Sequence, residues 1–175
     1  MRIDRHKEFI SVSERDALMD WMDNSGKLVK GLSRGEFGYT KRMTTRLNTE
    51  VILFPKEAYA IRNRIKELYG FKSRDVSTIA HGDGMIAVKT FDGGDTYRHT
   101  DPKEMGHQVT MNVLLKKSDS GGVLHILDEE VSLSERELHC YLATKHEHFV
   151  TPCKGQTRYM WIFRFNDNHE EWEGE

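Results

Sequence analysis

The sequence is poor in cysteine, has no long apolar run and carries little net charge. Two cysteines, Cys140 and Cys153, are too few for a disulfide framework or a multi-cysteine zinc site. Because both lie in segments that read as strands, we expect buried apolar thiols and a reducing, cytoplasmic setting. No segment is apolar enough to span a bilayer or to form a signal peptide, so no membrane partner is expected. The net charge of -2 disfavours nucleic acid as a partner.

Length and composition indicate one folded globular domain. The chain has 175 residues, of which 37% are hydrophobic and 31% charged, a balance typical of globular proteins rather than disordered ones. We therefore expect a single domain over residues 1–175. It would consist of a helical support over residues 1–75 and a β-rich core over about residues 76–166.

Helix signals are confined to the first half of the chain. The segment Ser13–Asp16 has the spacing of a capping box and precedes an apolar helical face. Pro55 suits the first turn of a second helix that Gly70 can end. The apolar residues of this second helix recur at steps of three and four: Ala58, Ile61, Ile65 and Leu68. Between the helices, we predict a long loop over residues 31–50 and a short strand at residues 51–54.

The second half of the chain changes to short β-branched runs that Gly, Asp and Asn residues interrupt. Such runs at regular spacing predict a mainly β (α+β) fold built as an antiparallel sandwich or barrel. The predicted strands are residues 76–80, 85–91, 109–115, 123–127, 137–143, 149–153 and 158–165.

Two different faces alternate along the last predicted strand. Tyr159, Trp161, Phe163 and Phe165 form a wide aromatic surface suited to packing under the helices. The opposite face begins with Arg158 and continues apolar, as a pocket lining does. An arginine that leads an inward face needs an anion to pair with.

A histidine and a carboxylate stand two residues apart at His99 and Asp101. In an extended segment, such residues share a face and can reach one ion. Pro102 also biases Asp101 towards extended geometry. A His-x-Asp triplet arises often by chance, so this motif carries weight only together with a second one.

The second motif begins at His148, which opens the run His-Phe-Val-Thr-Pro and is followed ten residues later by Arg158. Together with His99 and Asp101, this order resembles the Fe(II)- and 2-oxoglutarate-dependent dioxygenases, most closely their prolyl hydroxylase-like branch. A Phe-Asp-Gly-Gly stretch before His99 and a double-glycine turn after the strand at residues 109–115 extend the resemblance. Motif order, spacing and strand context agree.

The resemblance implies a fold, a metal and a cosubstrate. The fold would be a double-stranded β-helix, or jelly roll, with the N-terminal helices packed on one sheet. His99, Asp101 and His148 would bind Fe(II), since two imidazoles and a carboxylate on one face form the non-haem iron arrangement. Arg158 would hold the distal carboxylate of 2-oxoglutarate, and Val150 would line the same pocket. The implied reaction uses O2 and yields succinate and CO2, with ascorbate as a candidate reductant.

Two positions depart from the family pattern. Many relatives have tyrosines, whose hydroxyls can bond the cosubstrate, where this chain has Phe91 and Leu114. Thr110, Asn112 and Tyr97 are candidate replacements, although ordinary strand positions explain these residues about equally well. We assign no role to the remaining clustered histidines, which we expect to be surface or structural residues: His81, His107, His125, His139 and His146.

Substrate identity rests on analogy at the level of the family. The leading interpretation is hydroxylation of a peptidyl residue such as proline, so the expected partner is a peptide or small-molecule substrate. A free amino acid, a small metabolite or a nucleobase are alternatives within the same chemistry. From other classes, a non-catalytic jelly-roll metal-binding module and a cupin-like or sugar-binding metal protein stay open. The cupin-like alternative leaves Arg158 unexplained.

The predicted loop over residues 31–50 has aromatic residues between positive charges. Such a loop could close over a substrate as a lid. Charges of this kind are more often solvated, and we favour that interpretation. The residues concerned are Arg34, Phe37, Tyr39, Lys41, Arg42 and Arg46.

Overall fold

The computed structural model of the chain describes residues 1–31, 41–48, 50–71, 84–103, 109–165 and 172. The predicted strand at residues 76–80 and the loop residues Arg34, Phe37 and Tyr39 therefore lie outside the described residues. In the described part, two helices and two main antiparallel sheets surround two apolar clusters. No described helix has the length and apolar character needed to span a membrane.

Helix α1 spans Val12–Asn24, and its N-terminus corrects the predicted cap. Ser11, not Ser13, is the capping residue: its hydroxyl accepts a hydrogen bond from the Glu14 N–H. The Glu14 carboxylate in turn accepts one from the Ser11 N–H. Because Glu14 closes the box with Ser11, Ser13 lies within the first turn of the helix.

Helix α2 spans Lys56–Tyr69, directly after Pro55, and Gly70 ends it with a left-handed φ of 68°. Its buried residues are Ala58, Ile61, Ile65 and Tyr69. Leu68 continues the apolar spacing of the helix, but its side chain is 48% exposed and is not part of the buried face. Ile65 and Tyr69 are four residues apart and share the buried face of the helix, whereas Leu68 does not lie on that face.

The larger sheet contains seven strands, and three of them come from the segment predicted as helical support. Those three are β1 (Ile3–His6), β2 (Val29–Lys30) and β3 (Arg42–Thr44). They are short, partly polar strands at or next to the sheet edges, and periodicity detects such strands poorly. The other four are β4 (Met85–Thr90), β6 (Val109–Lys116), β10 (Leu138–Leu142) and β13 (Arg158–Phe163). The spatial order is β1-β10-β6-β13-β4-β3-β2.

The smaller sheet contains four strands in the order β5-β11-β8-β9. They are β5 (Thr96–His99), β8 (Leu124–Ile126), β9 (Glu129–Val131) and β11 (His148–Val150). A two-stranded ribbon joins β7 (Ser120–Gly121) to β12 (Cys153–Lys154). Cys140 lies in β10 and Cys153 in β12, and both thiols are free and buried, as predicted.

Residues 51–54 do not form the predicted strand. Ile52 and Phe54 are buried while Val51 and Leu53 are exposed, so the segment alternates like a strand but has no ladder in the described sheets. Phe54 is buried because its ring packs against Trp161 on β13, with the two ring centroids 5.8 Å apart.

The two faces of β13 have the partners that their sequence predicts. Trp161, Phe163 and Phe165 belong to the apolar cluster shared with α1 and α2, and the Trp161 ring lies 5.6 Å from that of Trp21. Arg158 and Met160 face a cavity on the other side. The helices therefore stabilise the outer face of the larger sheet and leave its inner face available for a site.

The exposure of Leu68 provides a matched test of the helix packing. Replacing the buried Ile65 with Ala should lower the free energy of unfolding by about 2–5 kcal/mol through lost contacts and a residual cavity. Leu68→Ala on the same helix should change it by less than about 0.5 kcal/mol. Urea denaturation of both variants measures the difference, and similar losses would contradict this packing.

Candidate active site

A cavity of about 390 Å³ lies between the two sheets. This volume is in the range of small-molecule pockets. One wall comes from β3, β4, β6, β10 and β13 of the larger sheet, and the other from β5, β8 and β11 of the smaller sheet. The residues predicted as metal and cosubstrate ligands all line this one cavity: Tyr97, His99, Asp101, Thr110, Asn112, His148, Val150 and Arg158.

Strand pairing brings the three predicted metal ligands together. His99 ends β5 and His148 begins β11, and the two residues are direct partners in the antiparallel ladder. Such partners point to the same face of the sheet. Asp101 follows β5, and its N–H donates to the Ala143 carbonyl at 2.8 Å.

The ligand atoms of these three residues converge on one point. Asp101 Oδ1 lies 3.3 Å from His99 Nε2 and 3.7 Å from His148 Nε2. All three atoms lie within 4.8 Å of one another. Separations of this size suit one ion bound at about 2.0–2.2 Å from each atom.

Backbone carbonyls select the imidazole nitrogen that faces this point. His99 Nδ1 lies 2.7 Å from the Tyr97 carbonyl oxygen, and His148 Nδ1 lies 2.9 Å from that of His146. A carbonyl only accepts, so each Nδ1 carries the hydrogen and each Nε2 presents a lone pair. Metal-binding histidines are oriented in this manner. Burial, with a smaller contribution from His99, lowers the pKa of His148 and so favours the neutral, metal-binding form.

Arg158 supplies a positive charge on the opposite wall. It is the first residue of β13, is only 6% exposed, and makes no ion pair with any residue in the described part of the chain. Burial lowers the pKa of its guanidinium, because desolvation disfavours the charged form. A buried guanidinium of this kind is stabilised by an anion that enters the cavity.

Gly122 provides the space that Arg158 occupies. The residue has a φ of 63°, and a Cβ built on it would lie 3.1 Å from Arg158 Cδ and 2.7 Å from Ser118 Oγ. The double-glycine turn of the sequence therefore has a steric role beside the candidate anion site.

The remaining residues predicted to bind the cosubstrate also line the cavity. The Tyr97 ring stacks on His99, with centroids 4.5 Å apart. Thr110 and Asn112 are buried side chains of β6 rather than solvated ones. Thr110 Oγ1 donates to Asn112 Oδ1 at 3.4 Å, so the alternative of locally bonded strand residues stays open. Leu114 lies instead in the apolar cluster between the sheets.

Three cavity arginines were missed or misinterpreted at the level of sequence. Arg42 and Arg46, interpreted as solvated loop charges, both line the cavity. That interpretation was wrong because Arg42 belongs to β3 of the larger sheet and the short 3-10 turn Thr45–Leu47 follows it. Arg164 also faces the cavity, with Nη2 3.9 Å from Asp101 Oδ2.

His139, to which no role was assigned, also lines the cavity. It is 1% exposed, and Asn112 Nδ2 lies 3.5 Å from its Nε2. Burial, with a smaller contribution from Arg158, lowers the pKa of His139 to about 3, so the ring is neutral at physiological pH. The two-residue step to Tyr141, which shares its face, was the available sequence signal. His81 and His107 lie outside the described residues.

Comparison with known proteins gives structural matches only. No family model matches the chain, and no curated protein matches it. Solved structures of hydroxylases do match it. The viral collagen prolyl hydroxylase of Paramecium Bursaria Chlorella virus-1, in its 2OG complex, has a TM-score of 0.68 at 14% identity, over 93% of this chain and 94% of that one. This chain has a jelly-roll fold like that of the viral enzyme.

Two further structures agree with that assignment. A Trichoplax adhaerens prolyl hydroxylase, in complex with a hypoxia inducible factor oxygen degradation domain peptide fragment, has a TM-score of 0.67 at 15% identity over 94% of this chain and 83% of that one. A Pseudomonas putida prolyl-4-hydroxylase has a TM-score of 0.63 at 16% identity, over 93% and 92%. At identities this low, the structural matches support the shared jelly-roll fold, whereas activity has to be argued from the site.

Gly122→Ala should weaken dicarboxylate binding as well as stability. The added methyl group would push Arg158 and Ser118, on top of the strain of a positive φ. Gly26→Ala is the matched control, because Gly26 has a φ of 70° with nothing within 4 Å of the added Cβ. Titration with 2-oxoglutarate should show a loss of affinity for Gly122→Ala alone. Equal affinities in the two variants would contradict the steric role.

The burial of neutral His139 predicts a pH-dependent stability. Its folded pKa of about 3 lies below the unfolded value of about 6.5. Below pH 6.5 the unfolded chain therefore takes up a proton that the folded chain excludes, and stability falls. Between pH 7 and pH 5, this group should cost the wild type about 2 kcal/mol relative to His139→Gln. Urea unfolding of both proteins at the two pH values measures the difference, and parallel curves would refute a buried neutral ring.

Proposed function

We propose that the protein is an Fe(II)- and 2-oxoglutarate-dependent dioxygenase that hydroxylates a peptidyl residue such as proline. One observation carries the proposal. His99 and His148 each donate from Nδ1 to a backbone carbonyl, so that their Nε2 atoms are available to a metal. These Nε2 atoms converge with Asp101 in the cavity that Arg158 also lines. A facial set of two imidazoles and one carboxylate is the non-haem iron arrangement.

The donor set fits Fe(II) better than a structural zinc ion. Structural zinc sites use four protein ligands, mostly cysteine, whereas the described residues provide three ligands without a thiolate. Three ligands on one side leave positions open towards the cavity. With Fe(II), 2-oxoglutarate and O2 bound, such a site supplies hydroxylation of a C–H bond with release of succinate and CO2.

The protein residues have separate proposed tasks in this reaction. His99, Asp101 and His148 hold the metal, and the Ala143 carbonyl fixes the backbone of Asp101. Arg158 binds the distal carboxylate of 2-oxoglutarate as a two-pronged cation. Apolar side chains of the same cavity exclude water from the reacting atoms: Ile86, Val88, Leu124, Met160 and Ile162.

A peptidyl substrate is supported by the similar structures. One of them is a prolyl hydroxylase in complex with a peptide fragment, and that fold spans most of the present chain. A free amino acid, a small metabolite or a nucleobase would use the same metal chemistry. We also propose a reducing, cytoplasmic setting, which the two buried free thiols support.

Turnover with defined substrates tests this function. The protein with Fe(II), ascorbate and 2-oxoglutarate should convert 2-oxoglutarate to succinate, and a prolyl peptide should increase the rate and gain one oxygen atom by mass spectrometry. His148→Ala should abolish both signals, because two ligands remain. His125→Ala is a matched control, since His125 pairs with Phe149 in the same small sheet but is not part of the metal cluster.

Each outcome of this experiment discriminates between the candidates. Oxygen transfer to a free amino acid but not to the peptide would move the proposal to a small-molecule oxygenase. Metal binding without succinate formation in folded protein would favour the non-catalytic metal-binding module. Full activity in His148→Ala would contradict the assigned ligand set.

A further inference from the structure

A second arginine shares the end of the cavity that holds Arg158. In the larger sheet, Arg158 on β13 is paired with Thr90 on β4, and Thr90 is paired with Arg42 on β3. The three residues thus lie side by side across three neighbouring strands, and all three line the cavity. Adjacent strands are about 4.8 Å apart, so two long arginine side chains two strands apart can reach one small ligand.

The charge around Arg42 is unbalanced. Among the cavity-lining residues that the structure describes are four arginines, Arg42, Arg46, Arg158 and Arg164, and one carboxylate, Asp101. Arg164 approaches that carboxylate. Neither Arg42 nor Arg158 forms an ion pair or a side-chain hydrogen bond with any described residue.

The electrostatic environment of Arg42 also favours the binding of an anion. Burial, with smaller contributions from Arg158 and Arg46, lowers the pKa of Arg42 to about 10, and the opposing effect of Asp95 is smaller still. Burial lowers the pKa of both guanidinium groups, and Arg158 also lowers that of Arg42. A shared anion would stabilise the charged form of both.

We propose that Arg42 is a second ligand of the distal carboxylate of 2-oxoglutarate, so that Arg42 and Arg158 together select a dicarboxylic 2-oxo acid. This inference rests on the proposed function. It also accounts for two departures from the family pattern, because Phe91 and Leu114 cannot supply hydroxyl groups to the cosubstrate. A guanidinium from β3 takes the place of those hydroxyls.

The test compares two ligands that differ only at the distal end. Protein loaded with Mn(II), which is not oxidised during the titration, is titrated calorimetrically with 2-oxoglutarate and with 2-oxopentanoate. The second compound has the same chain length but a methyl group in place of the distal carboxylate. Arg42→Gln should weaken 2-oxoglutarate binding by about ten- to a hundredfold and leave 2-oxopentanoate binding unchanged. Arg42→Lys, which retains the charge, should lie between Arg42→Gln and the wild type.

Two further variants complete the design. Lys89→Gln removes a cation one residue from Thr90 on the opposite face of β4, where Lys89 pairs with Asp23, and should bind both ligands like the wild type. The double variant Arg42→Gln with Arg158→Gln should lose less affinity than the two single losses combined, because both residues act on one carboxylate.

Contrary results separate the possible failures. Unchanged 2-oxoglutarate affinity in Arg42→Gln would overturn the shared carboxylate and leave Arg42 to a substrate group. Equal losses for both ligands would make Arg42 a structural residue. Absence of any Mn(II)-dependent 2-oxoglutarate binding by the wild type would overturn the proposed function and this inference with it.

Discussion

The pairing of β5 with β11 is the contact on which the candidate site depends. It sets His99 opposite His148 and brings both imidazoles to one face of the smaller sheet. The carbonyls of Tyr97 and His146 then fix which nitrogen each ring presents. A one-residue slip in this register would turn one imidazole to the other face of the sheet. The candidate metal site therefore requires this strand register.

The larger sheet contributes a positively charged inner face, to which an anion can bind. Its inner face holds Arg42 and Arg158, while its outer face packs Trp161 under the two helices. Burying guanidinium groups opposes folding unless an anion compensates. We infer that the packed outer face stabilises the sheet enough to keep its inner face polar, and that ligand binding recovers part of that stability.

The sequence predicted which residues line the candidate site better than it predicted the elements around them. His99 with Asp101, and the two faces of the last strand, could be placed because a two-residue period fixes which side chains share a face. His148 and Arg158 were joined to them by the resemblance to a family motif. By contrast, β1, β2 and β3 are short strands at or next to the edges of the larger sheet, and their residues show no clear period. Arg42 was therefore interpreted as a solvated charge. His139 was missed because burial depends on packing between sheets, which local spacing does not encode. Leu68 shows the opposite case, because the apolar spacing of α2 extends to a residue whose side chain is exposed.

The most direct test of the central claim is anaerobic titration of the protein with Fe(II) and 2-oxoglutarate, followed by visible absorption. Chelation of iron by the keto acid should produce a charge-transfer band that saturates at one equivalent of each. The account predicts this band in the wild type, its loss in Asp101→Ala, and its displacement to much higher 2-oxoglutarate in Arg158→Ala. Absence of the band in folded wild-type protein at saturating iron and cosubstrate would contradict the account.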